Sequence, residues 1–121
     1  MKILYVEDNA ANARLVAKYL GLQPGVVLLQ AATAEEGLAL ARAHRPHLIL
    51  MDLNLPCMSG SDALRALRDD ADLRLRAVVA VSADAMPDNI RAALALGFDD
   101  YLTKPLDFQR FDEVIERYRP A

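Results

Sequence analysis

Cysteine is nearly absent: the 121-residue chain contains one, Cys57. No disulfide can therefore form within it, and no four-ligand zinc site can be built from cysteine. Glycine and proline are sparse, with 5 and 6 residues, which excludes a collagen-like or linker-dominated chain. No apolar run approaches the ~20 residues needed to cross a bilayer. Met1-Lys2 leads straight into a short apolar run with no small-residue cleavage site, so the expected location is cytoplasmic, with no membrane partner. Basic charge is not in excess either: 14 Lys and Arg against 17 Asp and Glu give a net charge of -3. Direct binding of nucleic acid is not expected from such a balance. What the chain does have is apolar residues, 54% against 26% charged, enough for one globular domain over residues 1–121 that stands on packing alone.

The apolar residues fall into two periodicities that take turns. Five β-like runs, KILYV (2–6), VVLLQ (26–30), HLILMD (47–52), AVVAVS (77–82) and DYLT (100–103), are continuous in apolarity, as expected of strands buried on both faces of a parallel sheet. Helical stretches separate them. The first, over 10–21, places Ala13, Val16 and Leu20 on one face and stops at Gly21 before the Pro24-Gly25 turn. The second opens on a Thr33–Glu36 capping box. The third covers about 61–68, the fourth runs from Pro87 to Gly97, and the fifth follows Asp107 with Phe108, Phe111, Ile115 and Tyr118 at helical spacing. Five βα units predict an open, doubly wound α/β fold, with a five-stranded parallel sheet and five helices on both faces. All strands then point their C-terminal ends at one edge, where such folds bind ligands.

That edge is chemically unusual. Strand 1 runs into Glu7-Asp8, strand 3 ends in Asp52, strand 4 in Ser82, and strand 5 leads to Lys104-Pro105. Two carboxylates ~5 Å apart at an effective dielectric near 20 repel by roughly 3 kcal/mol, and a fold gains nothing from that. A hard cation relieves it, and a site with few protein ligands suits Mg²⁺ better than Ca²⁺. A carboxylate beside a divalent ion can attack phosphorus, while a lysine and a hydroxyl stabilise the oxygens of the transferring group. Asp52, on the third strand, is the best nucleophile candidate. Acidic residues after strands can also be simple helix caps, but four strand ends with complementary chemistry argue for a site.

The strings LYVEDN, LILMDLNLPCMSG, VVAVSADA and DDYLTKP, in this order and spacing, resemble the receiver domains of two-component response regulators. The resemblance covers essentially the whole chain and implies the flavodoxin-like (CheY-like) strand order 2-1-3-4-5. It also implies that Asp52 accepts a phosphoryl group from a phosphohistidine on a histidine kinase or a histidine phosphotransfer protein. Asp8, Asp52 and the backbone carbonyl of Asn54 would ligate Mg²⁺, with Glu7 acting through a bound water. Lys104 would hold the phosphoryl oxygens, helped by Ser82 and by backbone amides near Asn54 and Ala83, and a cis peptide would precede Pro105. Glu7 stands where many members have Asp, and Ser59 where the loop often has Asp before Gly60; neither change removes a required group.

In the family, the hydroxyl at the Ser82 position turns toward the phosphoryl group and the aromatic at the Tyr101 position rotates inward behind it. The implied output surface comprises the fourth helix, fifth strand and fifth helix, over residues 86–96, 101 and 107–118, where a downstream effector would dock. Asn54 and Asp84 occupy the two variable positions that tune dephosphorylation. Both are polar and able to orient water, which implies a short-lived acyl phosphate.

Several residues are not assigned a role. His44 and His47 are read as exposed turn residues, Cys57 as a bystander, and the Arg65, Arg68, Arg74, Arg76 group, broken by Asp69, Asp70 and Asp72, as a solvated segment. A signalling switch is favoured over three alternatives. In a haloacid-dehalogenase-like phosphohydrolase the nucleophile precedes the acidic pair and has a second Asp two residues on; here the pair leads and Asn54 holds that position. A flavodoxin-like FMN binder needs hydroxyl and glycine donors after strand 1, where Glu7-Asp8 would repel a phosphate. A module that is never phosphorylated would not need an intact acceptor, lysine and acidic pair. The EDN triplet, Asn54 and the DAMP segment look most like receivers attached to sensor kinases, whereas Met1 abutting the first strand leans slightly to a stand-alone regulator, so both alternatives stay open.

Overall fold

The computed structural model describes residues 1–120. Strands and helices alternate strictly along it: β1 (Lys2–Val6), α1 (Ala10–Leu20), β2 (Val27–Ala31), α2 (Ala34–His44), β3 (Leu48–Asp52), α3 (Gly60–Asp69), β4 (Ala77–Ser82), α4 (Pro87–Leu96), β5 (Asp100–Thr103) and α5 (Phe108–Tyr118). Each strand pairs in parallel with its neighbours in the order β2-β1-β3-β4-β5, the order implied by the resemblance. Element bounds agree with the sequence reading to within one or two residues. Among the described residues no helix is long and apolar enough to cross a membrane.

Side-chain alternation along the strands splits the core in two. Leu4, Val6, Ile49, Met51, Val78 and Ala80 pack with α2, α3 and α4. Ile3, Tyr5, Leu48, Leu50, Val79, Val81 and Leu102 pack with Val16 and Leu20 of α1 and Phe111, Val114 and Ile115 of α5. The central strand β3 is buried at all five positions. β2 departs from the expectation of burial on both faces: Val27 and Gln30 are exposed and only Ala31 is buried. An edge strand has a neighbour on one side only, so its outer flank stays open whatever its apolarity.

Helix ends follow local chemistry. Asn9, Thr33, Ser59 and Asp107 cap α1, α2, α3 and α5 through their side chains, each satisfying one of the amides a helix start leaves unpaired. Ser59 performs this role as well as an aspartate would, so its departure from the commonest pattern leaves α3 intact. α4 starts with Pro87 in place of a side-chain cap and ends on Gly97 at φ 118°, a conformation that glycine adopts without strain. At α3 the first residue, Gly60, sits so close to β3 that a Cβ would lie 2.9 Å from the Asp52 carbonyl oxygen.

Two residues read as solvated in the sequence are structural. His47 is half-buried, and its Nδ1 accepts from the Lys2 backbone N–H at 2.9 Å, pinning the start of β1. Arg68 reaches from α3 to donate to the carbonyls of Arg74, Arg76 and Gly97 at 2.8–2.9 Å and to Asp99 Oδ2 at 2.9 Å. A guanidinium with five donors in a fixed fork can tie two loops to α3 at once, a role that charge alternation in the sequence does not reveal.

Two predictions concern stability. Burial, then the charges of the N-terminus, Arg76 and Lys2, hold His47 below its ordinary pKa, so its contribution is present at neutral pH and is lost as pH falls through the lowered value. His47→Ala should cost about 1 kcal/mol at about pH 7.5, with the gap narrowing toward about pH 5, measured by urea unfolding of both proteins. Gly60→Ala should cost about 1–3 kcal/mol by the same measurement, because backbone must move to admit the methyl group.

Candidate functional site

The C-terminal edge of the sheet is set by backbone bonds that extend the ladder one residue past the strands. Glu7 N–H donates to the Ala31 carbonyl at 2.9 Å, Leu53 N–H to Val81 at 3.0 Å, and Lys104 N–H to Ser82 at 2.8 Å. Glu7, the residue after Asp52, and Lys104 are thus locked to their neighbours before any side chain interacts. Glu7 continues the side of β1 that carries Ile3 and Tyr5, and Asp52 the side of β3 that carries Leu48 and Leu50. Both carboxylates therefore rise on the α1–α5 face, buried to 3% and 2% exposure.

Lys104 closes the pair. Its Nζ donates to Glu7 Oε1 and Oε2 at 2.8 and 3.0 Å and to Asp52 Oδ2 at 2.9 Å, while the peptide that follows it, to Pro105, is cis. Asp52 Oδ1 accepts from the Asn54 N–H at 2.9 Å, and Glu7 Oε1 also accepts from Asn12 Nδ2 at 2.8 Å. Glu7 is pushed up from the usual carboxylate range, first by burial and then by the facing Asp52 carboxylate, against the pull of Lys104 and Asn12. Burial also opposes ionisation of Asp52, but the Glu7 carboxyl, the Asn54 N–H and Lys104 outweigh it and hold Asp52 down. Lys104 resists its own desolvation and is raised by the same two carboxylates. As pH falls, Glu7 takes a proton first and Asp52 keeps its charge longer.

The exposed Asp8 completes an acidic group: carboxylate oxygens of Glu7, Asp8 and Asp52 all lie within 4.8 Å of one another. An all-oxygen set of three carboxylates with one member open to solvent fits a hard divalent cation that keeps several waters. These residues can hold a metal ion.

Ser82 and Tyr101 lie on the opposite face, with α2, α3 and α4. Ser82 is buried, and its Oγ accepts from the Asp84 N–H at 3.1 Å and from Asn54 Nδ2 at 3.4 Å. The Tyr101 ring is buried and its hydroxyl donates to the Asp84 carbonyl at 2.7 Å. The Asp84 peptide therefore links hydroxyl and aromatic. Its carboxylate does not face the acidic group: Oδ1 accepts from the Met86 N–H at 2.9 Å and Oδ2 from Asn89 Nδ2 at 2.7 Å, so both oxygens are engaged at the start of α4.

Two residues at the site went unread in the sequence. Asn12 holds Glu7 from α1; its signal is a second asparagine three residues after the Asn9 cap, over the end of β1. Tyr5 lies beneath Glu7, and its hydroxyl is the buried side-chain polar atom without a hydrogen-bond partner among the described residues. Its signal is one hydroxyl in an aliphatic strand, two residues before Glu7 and so on the same side.

Residues 3–116 match the response regulator receiver domain family. The polar-differentiation response regulator DivK of Brucella anthropi is 38% identical over 116 residues, covering 96% of this chain and 94% of that one. The receiver domain of the sensor histidine kinase PA1611 from Pseudomonas aeruginosa, solved with a magnesium ion coordinated in its active-site cleft, aligns with a TM-score of 0.86 at 29% identity, over 97% of this chain and 95% of that one. The receiver domain of Ssk1 from Saccharomyces cerevisiae, solved with the histidine phosphotransfer signalling protein Ypd1, aligns with a TM-score of 0.87 at 28% identity, over 98% and 88% of the two chains. The chain belongs to the response regulator receiver domain family, the signalling switches of two-component and phosphorelay systems whose general function is to take a phosphoryl group on an aspartate.

Proposed function

We propose that Asp52 is the phosphoryl acceptor of this receiver, charged by a phosphohistidine on a histidine kinase or a histidine phosphotransfer protein. The observation that carries the reading is the Lys104 ammonium held between the buried Glu7 and Asp52 carboxylates. That arrangement keeps a nucleophile ionised and places a cation where phosphoryl oxygens would gather. Asp8, Asp52 and the Asn54 carbonyl, with Glu7 through a water, would hold Mg²⁺, which when bound neutralises charge on the transferring group. In the transfer, an Asp52 oxygen forms a P–O bond as the P–N bond of the donor breaks. The electron pair stays on the imidazole, which takes a proton from solvent, and Asp52 becomes an acyl phosphate. Lys104, with the Ser82 hydroxyl and the backbone amides of Asn54 and Ala83, stabilises the phosphoryl oxygens. Hydrolysis later frees the carboxylate, so the chemistry is self-catalysed and the protein acts as a switch with no turnover of a separate substrate.

The readout follows from the hydroxyl. Ser82 Oγ accepts from the Asp84 N–H and Tyr101 donates to the carbonyl of the same residue, so a turn of the Ser82 side chain toward a phosphoryl oxygen would be felt at the Asp84 peptide. This supports a two-state coupling from Asp52 to the start of α4, with the α4–β5–α5 face as the effector surface. Met86, Leu94 and Leu96 are exposed there. Of the two positions that tune lifetime, Asn54 is favoured, because it is exposed beside Asp52 whereas the Asp84 carboxylate is engaged by α4.

Incubation with Mg²⁺ and phosphoramidate should add one phosphoryl group to the intact mass of the wild type and none to Asp52→Asn; equal labelling of the variant would place the acceptor elsewhere. Asn54→Leu should lengthen the acyl-phosphate lifetime several-fold by excluding water, timed by phosphoryl loss after removal of the donor, with Asp84→Leu giving the smaller effect. An unchanged lifetime in Asn54→Leu would sink the tuning assignment.

A further inference from the structure

We propose that Tyr5 is a positioning residue of the acidic site, whose hydroxyl donates to Glu7 when Lys104 is drawn away. The proposal rests on the reading of Glu7, Asp8 and Asp52 as a cation and phosphoryl site. Its ring is fully buried among Val16, Leu20, Leu50 and Phe111 in the α1–α5 layer. Strand alternation aims the hydroxyl at Glu7, two residues on. The hydroxyl makes no hydrogen bond of good geometry, although burial first, then the charges of Glu7 and Asp52 and a misaligned contact with Glu7, hold its pKa well above the usual phenol range. A buried hydroxyl left unpaired is a stability cost that packing alone would avoid, since phenylalanine fills the same space.

Most of the acceptor positions of Glu7 are already taken. Lys104 now takes both Glu7 oxygens and Asn12 shares one of them. Lys104 would leave Glu7 where a cation held by Asp8 and Asp52 repels its ammonium and phosphoryl oxygens attract it. A buried carboxylate then loses two charge-assisted bonds, and the Tyr5 hydroxyl is the donor already beneath it. The hydroxyl is thus unpaired in the resting chain and paired in the loaded one.

Tyr5→Phe separates these states. In the full chain without metal the variant should unfold at a higher urea concentration than the wild type. Its Mg²⁺ affinity, by calorimetric titration with MgCl₂, should weaken about fivefold, equivalent to about 1 kcal/mol given that about 1.4 kcal/mol is tenfold. A purely structural tyrosine would not produce that second change. In a Lys104→Met background, where Glu7 has already lost its ammonium, the same substitution should lower the urea midpoint. An unchanged Mg²⁺ affinity in Tyr5→Phe, with wild-type binding intact, overturns the role of Tyr5 alone. Absence of Mg²⁺ binding by the wild type overturns it together with the cation reading.

Discussion

Two carboxylates buried within reach of one ammonium are the constraint around which this molecule is arranged. Glu7 and Asp52 are each almost inaccessible to water, and both contact Lys104 Nζ within 3.0 Å. Without that cation the pair would share one burial site with like charge, a situation relieved only by proton uptake or by another cation. The arrangement is therefore balanced but not inert: whatever brings positive charge to the carboxylates competes with the lysine, and whatever brings negative charge recruits it. A site built for stability alone would more economically be apolar, since a well-packed hydrophobic replacement of a buried ion pair is often neutral or stabilising.

The sheet holds this balance by backbone means. The three ladder bonds beyond the strand ends fix Glu7, Leu53 and Lys104 relative to β2 and β4, and Gly60 lets α3 approach the Asp52 carbonyl more closely than any residue with a Cβ allows. The opposite edge needs its own anchoring, and there His47 and Arg68 supply it through backbone groups. Rigidity at both ends leaves the side chains at the acidic edge as the parts free to exchange partners.

Much of this was legible in the residues because the periodicity and the strand ends coincide. Continuous apolar runs of five or six residues, alternating with helical spacing, are enough for the α/β class and for the edge on which Glu7, Asp8, Asp52, Ser82 and Lys104 meet. Strand order is a different matter: it depends on which strands pair across long crossovers, and here it came from resemblance to a family. The roles of His47 and Arg68 were hidden because each serves backbone groups distant in sequence, which leave no side-chain pattern. The local partners of Asp84 were hidden for a similar reason. Its polarity suggested a water-orienting group, but local bonds to Met86 and Asn89 claim both oxygens, a competition typical of Asp beside a helix start.

The division of the core gives the site its directional logic. Glu7, Asp52 and Lys104 belong to the α1–α5 side, whereas Ser82, Asp84 and Tyr101 belong to the side covered by α2, α3 and α4. Asp52 ends the central strand, where the two sides meet at the rim, so a group bonded to its carboxylate is within the province of both. The cation that meets the carboxylates lies on one face and the linked Ser82, Asp84 and Tyr101 contacts on the other. Under the proposed phosphorylation of Asp52, the added charge would be met by Lys104 on the α1–α5 side, and a turn of Ser82 would reach the start of α4 through the Asp84 peptide. That separation places the acidic group and the proposed response surface on different halves of one packed core.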